Sequence, residues 1–147
     1  MTKLFQALFT GIFITFFLDF FVFLGIQLNY IKFHKIDLYY NILFADHQNA
    51  LIFFPLSFIL GFLVIYINNT KLSLIVIATL AALTLSTLLP SIGHSVGTTL
   101  LMKKNVSLKD KTHSFHGDIY YDGRRKITFY DYELKKMILL NKKDIKQ

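Results

Sequence analysis

Three stretches of this chain stay apolar for the length of a membrane crossing, and this constrains its fold more than any other feature. Residues 4–26 carry one charge, Asp19. Residues 50–67 (ALIFFPLSFILGFLVIYI) carry none, and residues 72–90, which follow Lys71, carry none. About 20 apolar residues in a helix span a hydrocarbon core roughly 30 Å thick. Helices of soluble domains keep a polar face, whereas these segments are apolar all round. The aromatic balance agrees, with 16 Phe and no Trp. The absence of Cys excludes disulfide scaffolds and thiolate chemistry. A cleaved signal peptide is the competing reading of 4–26. The apolar run is too long for one, and no small-x-small cleavage site follows it.

The connections sort the spans. Linker 27–49 is rich in aromatics (Tyr30, Phe33, Tyr39, Tyr40, Phe44), as expected of a membrane–water boundary. A short surface helix is expected over 37–46. The connection 68–71 is so short that the second and third spans form an antiparallel hairpin. Residues 72–102 are uncharged. A straight helix of that length measures about 46 Å, so Pro90 is expected to end or kink it and 91–102 to emerge as a surface helix or a capped extension. Sequons stand at 68–70 (NNT) and 105–107 (NVS), a pattern frequent by chance.

Residues 103–147 form a basic tail carrying twelve of the sixteen Lys and Arg and six of the nine acids. Its pattern is alternation. In 113–121, Phe115, Ile119 and Tyr121 fall on one face and His116, Asp118 and Tyr120 on the other. Asp122-Gly123 then signals a tight hairpin with positive φ at both central residues. The return strand is 126–131, a second turn 131–136, and a third strand 137–140. Three strands alone are marginal, so the tail is expected to pack on the membrane surface, on 91–102 or on another chain. The fold class is membrane α+β: a transmembrane helical domain, 1–102, with three helices, and a C-terminal antiparallel β meander of about three strands, 103–147.

Asp19 is the sharpest chemical feature, because a carboxylate within a span usually faces a polar partner. Counting depth from the helix ends places it near Ser57, Thr84, Ser86 and Thr87, with Thr15 one turn back. An intramembrane polar cluster of these six residues is expected. His34, His47 and His94 share the tail side of this topology and form a possible interfacial polar site, though their spacing is not that of a metal site and no metal or cofactor is expected. His113 and His116 fall on opposite faces of a strand. GHSVG, 93–97, matches the nucleophile-elbow pattern G-x-S-x-G. It follows an apolar helix instead of a buried strand, and too little chain remains to build the scaffold. Gly93 and Gly97 read better as a small-x-x-x-small packing pair, while Gly11, Gly25 and Gly61 read as isolated. Lys103, Lys104, Arg124, Arg125 and Lys126 are candidates for contact with anionic lipid or a partner protein. Interleaved acids make nucleic acid a poor match.

These features favour a small multi-pass protein of a bacterial-type inner membrane, non-enzymatic, acting as an accessory or scaffold subunit whose tail docks a partner or the membrane surface. Its partners would be the lipid bilayer and other membrane subunits, or a further copy of itself. The Lys and Arg bias places the tail in the cytoplasm. Two alternatives come from other classes. One is an oligomeric transporter or channel-like protein with Asp19 as its proton or cation site. The other is a membrane enzyme using interfacial His and Asp residues.

Overall fold

The computed structural model describes residues 2–67, 69–110 and 113–145. Five helices precede four strands. Helix α1, Thr2–Ile26, runs on through a π-helical turn, Gln27–Ile31, to make one apolar helix of 30 residues. Residues 27–31, expected in the linker, therefore belong to the helix. α2 is Tyr40–His47, α3 Ala50–Tyr66, α4 Thr70–Ser86 and α5 Pro90–Leu101. The α2/α3 pair is bent by 84° and the α4/α5 pair by 88°. By length and composition one helix can cross a membrane, or up to three if each bent pair counts as one span.

Both bends have local causes. Pro90 stands at the first turn of α5, where its missing N–H costs nothing. At the other corner the Asn49 side chain caps α3 by accepting from the Leu51 N–H at 2.9 Å. Short helices are thus present near the positions expected, 37–46 and 91–102, as α2 and α5, sharply bent from α3 and α4.

α1 and α3 form the tightest seam. Ala7, Gly11, Thr15 and Leu18 of α1 and Ser57, Leu60 and Gly61 of α3 are buried. A Cβ on Gly11 would lie 1.7 Å from the Ser57 carbonyl oxygen, and one on Gly61 would lie 1.8 Å from that of Ala7. Gly11 and Gly61 are therefore not isolated but sit in four-residue small-residue series, 7–11–15 and 57–61, that bring antiparallel backbones into contact. α4 packs on α1 through Thr87, whose hydroxyl donates to the Phe21 carbonyl. There a Cβ on Gly25 would meet Thr87 within 2.3 Å.

The strands are β1 (Lys103–Lys109), β2 (Ser114–Asp122), β3 (Lys126–Asp131) and β4 (Lys136–Asn141). They form an antiparallel meander in the order β1-β2-β3-β4. The meander has four strands where about three were expected. β1 lacks a long alternating signature, and its register is broken between Lys103 and Val106, with Asn105 at φ 58°. The hairpin at Asp122-Gly123 exists, but no glycine has positive φ among the described residues. The expected two-residue turn is replaced by a longer loop, with the Gly123 N–H donating to the Lys126 carbonyl at 3.1 Å.

A bulge between Ile119 and Tyr121 overturns the expected common face of those two residues. Ile119 joins Leu108, Ile127 and Phe129 in the sheet's own core, with Phe115 packed against it. Tyr121 turns the other way, into a core made by Phe23, Ile26, Tyr30, Ile31, Leu43 and Leu101 of the helices. One added residue thus lets a single strand serve two cores.

Candidate functional site

The junction between helices and sheet gathers most of the polar chemistry. The Tyr30 hydroxyl donates to the Tyr120 carbonyl at 2.9 Å. Asn29, from the same π-helical turn, donates to the Thr87 and Leu88 carbonyls at 3.0 and 3.1 Å. These are acceptors that the end of α4 leaves open. Arg124, in the β2–β3 loop, pairs with Asp46 at the end of α2. Tyr121 packs against the ring of His47, and burial pushes its hydroxyl up to about 12.

His34 and His94 meet here. Their ring centres are 5.4 Å apart, and Tyr30, Phe33 and Tyr120 surround them. The Nε2 atoms of both are buried without a hydrogen-bond partner among the described residues. Burial, and second the nearby His94, hold His34 below the usual imidazole range. His94 borders a groove of about 690 Å³ that Lys32, Phe33, Pro90 and Ser95 also line. His47 is placed elsewhere, its Nδ1 3.2 Å from the Leu43 carbonyl. Among the described residues no three His, Cys, Asp or Glu are grouped to hold a metal.

The six residues of the expected cluster, Asp19 included, do not come together. Thr15 and Ser57 share the α1–α3 seam. Both are fully buried, and neither hydroxyl has a partner among the described residues. Thr84 and Ser86 bond to carbonyls of their own helix, those of Ala81 and Leu83. Thr87 joins α4 to α1. Asp19 neighbours the Gln48 side chain at the α2–α3 corner, and close by the Tyr40 hydroxyl donates to the Phe20 carbonyl. The register of the α1–α3 seam explains the difference, since Gly11 lies against Ser57 and Gly61, and Asp19, eight residues further on, is level with the start of α3 at the corner. Gln48, Asn29 and Tyr30 carry no motif, and only their polarity beside apolar runs marks them.

Ser95 lies in the interior of α5, where its hydroxyl donates to the Ser91 carbonyl at 2.8 Å. The G-x-S-x-G stretch is therefore helix and not a strand-to-helix elbow. Its glycines pack instead: a Cβ on Gly93 would meet the Thr87 carbonyl oxygen at 2.2 Å, and one on Gly97 the Tyr30 side chain at 2.4 Å. Among the basic candidates Lys103 pairs with Asp122, as does Lys142, and Arg124 is held by Asp46. Lys104, Arg125 and Lys126 are exposed. His116 approaches Ser107 across β1–β2 at 2.9 Å. The first sequon begins at Asn68, outside the described residues, while Asn105 donates its backbone N–H to Asp118.

No protein-family model matches the chain, and no curated protein and no solved structure matches it.

Proposed function

We propose that this chain is a three-span integral protein of a bacterial-type inner membrane that holds a β-sheet platform rigidly against one membrane face, as an accessory or scaffold subunit of a larger assembly. Each bent pair supplies one span, with α2 and α5 lying along the surface. The bias of Lys and Arg toward the linker and tail puts the platform on the cytoplasmic side.

The observation that carries this reading is the fusion of sheet and helices. Tyr121 sits in the helical core, and Tyr120 and Arg124 are bonded to helical residues. A tail tied down at three points presents its outer surface at one height and angle. That surface includes the turn between β3 and β4, where Tyr132 and Leu134 are 40% and 53% exposed. Exposed apolar side chains on an ordered turn suit a protein partner.

Affinity purification from native membranes in mild detergent tests this. Stoichiometric recovery of a larger complex, lost with Leu134→Ser while the protein stays folded, is the expected outcome. Recovery of the chain alone or as a homo-oligomer would refute the accessory role. Attention would then pass to conduction through an oligomer, which the two seam hydroxyls of Thr15 and Ser57, without a hydrogen-bond partner among the described residues, favour and which Asp19→Asn would impair.

A further inference from the structure

We infer that the cleft between linker residues 35–38 and the β3–β4 side of the sheet binds the headgroup of an anionic phospholipid. This rests on the reading that the helices cross a bilayer. The cleft measures about 460 Å³, and Lys35, Arg125 and Lys126 line it together with one acid, Asp37. None of these three cations has an ion pair among the described residues. Three other basic residues, Lys103, Arg124 and Lys142, are each paired with an aspartate. The fold thus gathers three cations with no ion pair among the described residues around one concavity. A guanidinium and two ammonium groups match a phosphate, which accepts from several donors at once.

The same cleft has an apolar wall. Met137 and Leu139 line it and are 38% and 66% exposed. A free anion gives these side chains nothing, whereas a lipid brings acyl chains along with its phosphate. The cleft also lies close to the headgroup layer, at its outer edge. The Gln27 side chain donates to the Leu38 carbonyl at 2.8 Å, which fixes the linker level with Gln27. α4 ends against Phe21, six residues earlier on α1, so the cleft lies about 9 Å beyond the end of the helical bundle. A headgroup layer occupies roughly the first 5–8 Å outside the hydrocarbon core.

The test is native mass spectrometry of the full-length protein released from detergent micelles, titrated with dioctanoyl phosphatidylglycerol or dioctanoyl phosphatidylcholine. The anionic lipid should bind preferentially. The triple variant Lys35→Ala, Arg125→Ala, Lys126→Ala should bind it about a hundredfold more weakly, since each Lys or Arg near an anionic surface contributes roughly fivefold. A triple variant that exchanges Lys for Arg and Arg for Lys at the same positions should retain binding, separating loss of charge from loss of fold. Equal binding of the two lipids, or undiminished binding by the alanine variant, would overturn the site. Competition by inorganic phosphate or an oligo-glutamate peptide as strong as that of the lipid would also overturn it, in favour of a free anion or an acidic partner. Alkaline carbonate extraction of membranes reports separately on the spanning helices. A chain that leaves the membrane in carbonate refutes the spans, whatever the titration shows.

Discussion

At the scale of the residue, glycine and histidine decide most. Gly11 and Gly61 face carbonyl oxygens so closely that any side chain there pushes α1 and α3 apart. Overpacking typically costs about 1–3 kcal/mol, and backbone cannot yield as a side-chain tip can. Gly11→Val should therefore lower the thermal midpoint in detergent markedly, while Phe9→Leu on the exposed face of α1 should leave it nearly unchanged. Tyr30→Phe keeps the ring and removes one hydrogen bond to the sheet. A loss of about 0.5–1.5 kcal/mol is expected, read as faster hydrogen exchange in β2. His34 has its pKa lowered in the fold from 6.5. Its neutral form is favoured in the native state, so its contribution is fully present above about 6.5 and is lost as pH falls below that value. Acidification from pH 7.5 to 5.5 should loosen the junction, and His34→Gln should flatten that dependence in exchange measurements.

Elements are set by punctuation and by pairing. Pro90 is easy to read, and α5 begins at it. β1 is hard to read because its pairing with β2, and not its own pattern, makes it a strand. The ends of the sheet are held by one carboxylate. Asp122 closes β2 and bonds Lys103, at the start of β1, and Lys142, just after β4. Burial alone would raise its pKa, but the hydrogen bonds and charges of Lys142 and Lys103 outweigh it and hold the carboxyl below its usual range. Asp122 thus contributes stability above its unfolded value near 3.8, and loses it as pH falls through the lower folded value. The lysines are well exposed, so each pair is worth under about 1 kcal/mol. Asp122→Asn should speed exchange in β1 and β4 at pH 6 and change little at pH 2.5.

For the whole molecule, the tail and the helices form a single unit. Cutting after Met102 removes Tyr121 and uncovers Tyr30, Leu43 and Leu101, which are at most 5% exposed in the intact chain. The truncated protein should aggregate or unfold in detergent, visible as loss of a monodisperse peak in size-exclusion chromatography. Loss of function on deleting the tail would therefore not identify a docking surface. Single substitutions on the outer turn, such as Leu134→Ser, separate docking from folding.

What the chain determines locally was legible: the apolar runs, the break at Pro90, the short helix before α3, the hairpin near Gly123 and the turn at 131–136. Each depends on neighbours within one or two turns of chain, where composition and spacing report directly on backbone choice. What depends on distant neighbours was not. The 7–11–15 and 57–61 series acquire meaning only when α1 and α3 are laid against each other, since a small residue looks the same whether it faces lipid or backbone. The face of Tyr121 depends on one bulge, and a slip of one residue in a strand reverses its side chains. Asp19 was placed by aligning helix ends, whereas the small-residue seam sets the register of α1 against α3. Three cations with no ion pair among the described residues converge at 35, 125 and 126 only because the sheet folds back over the linker.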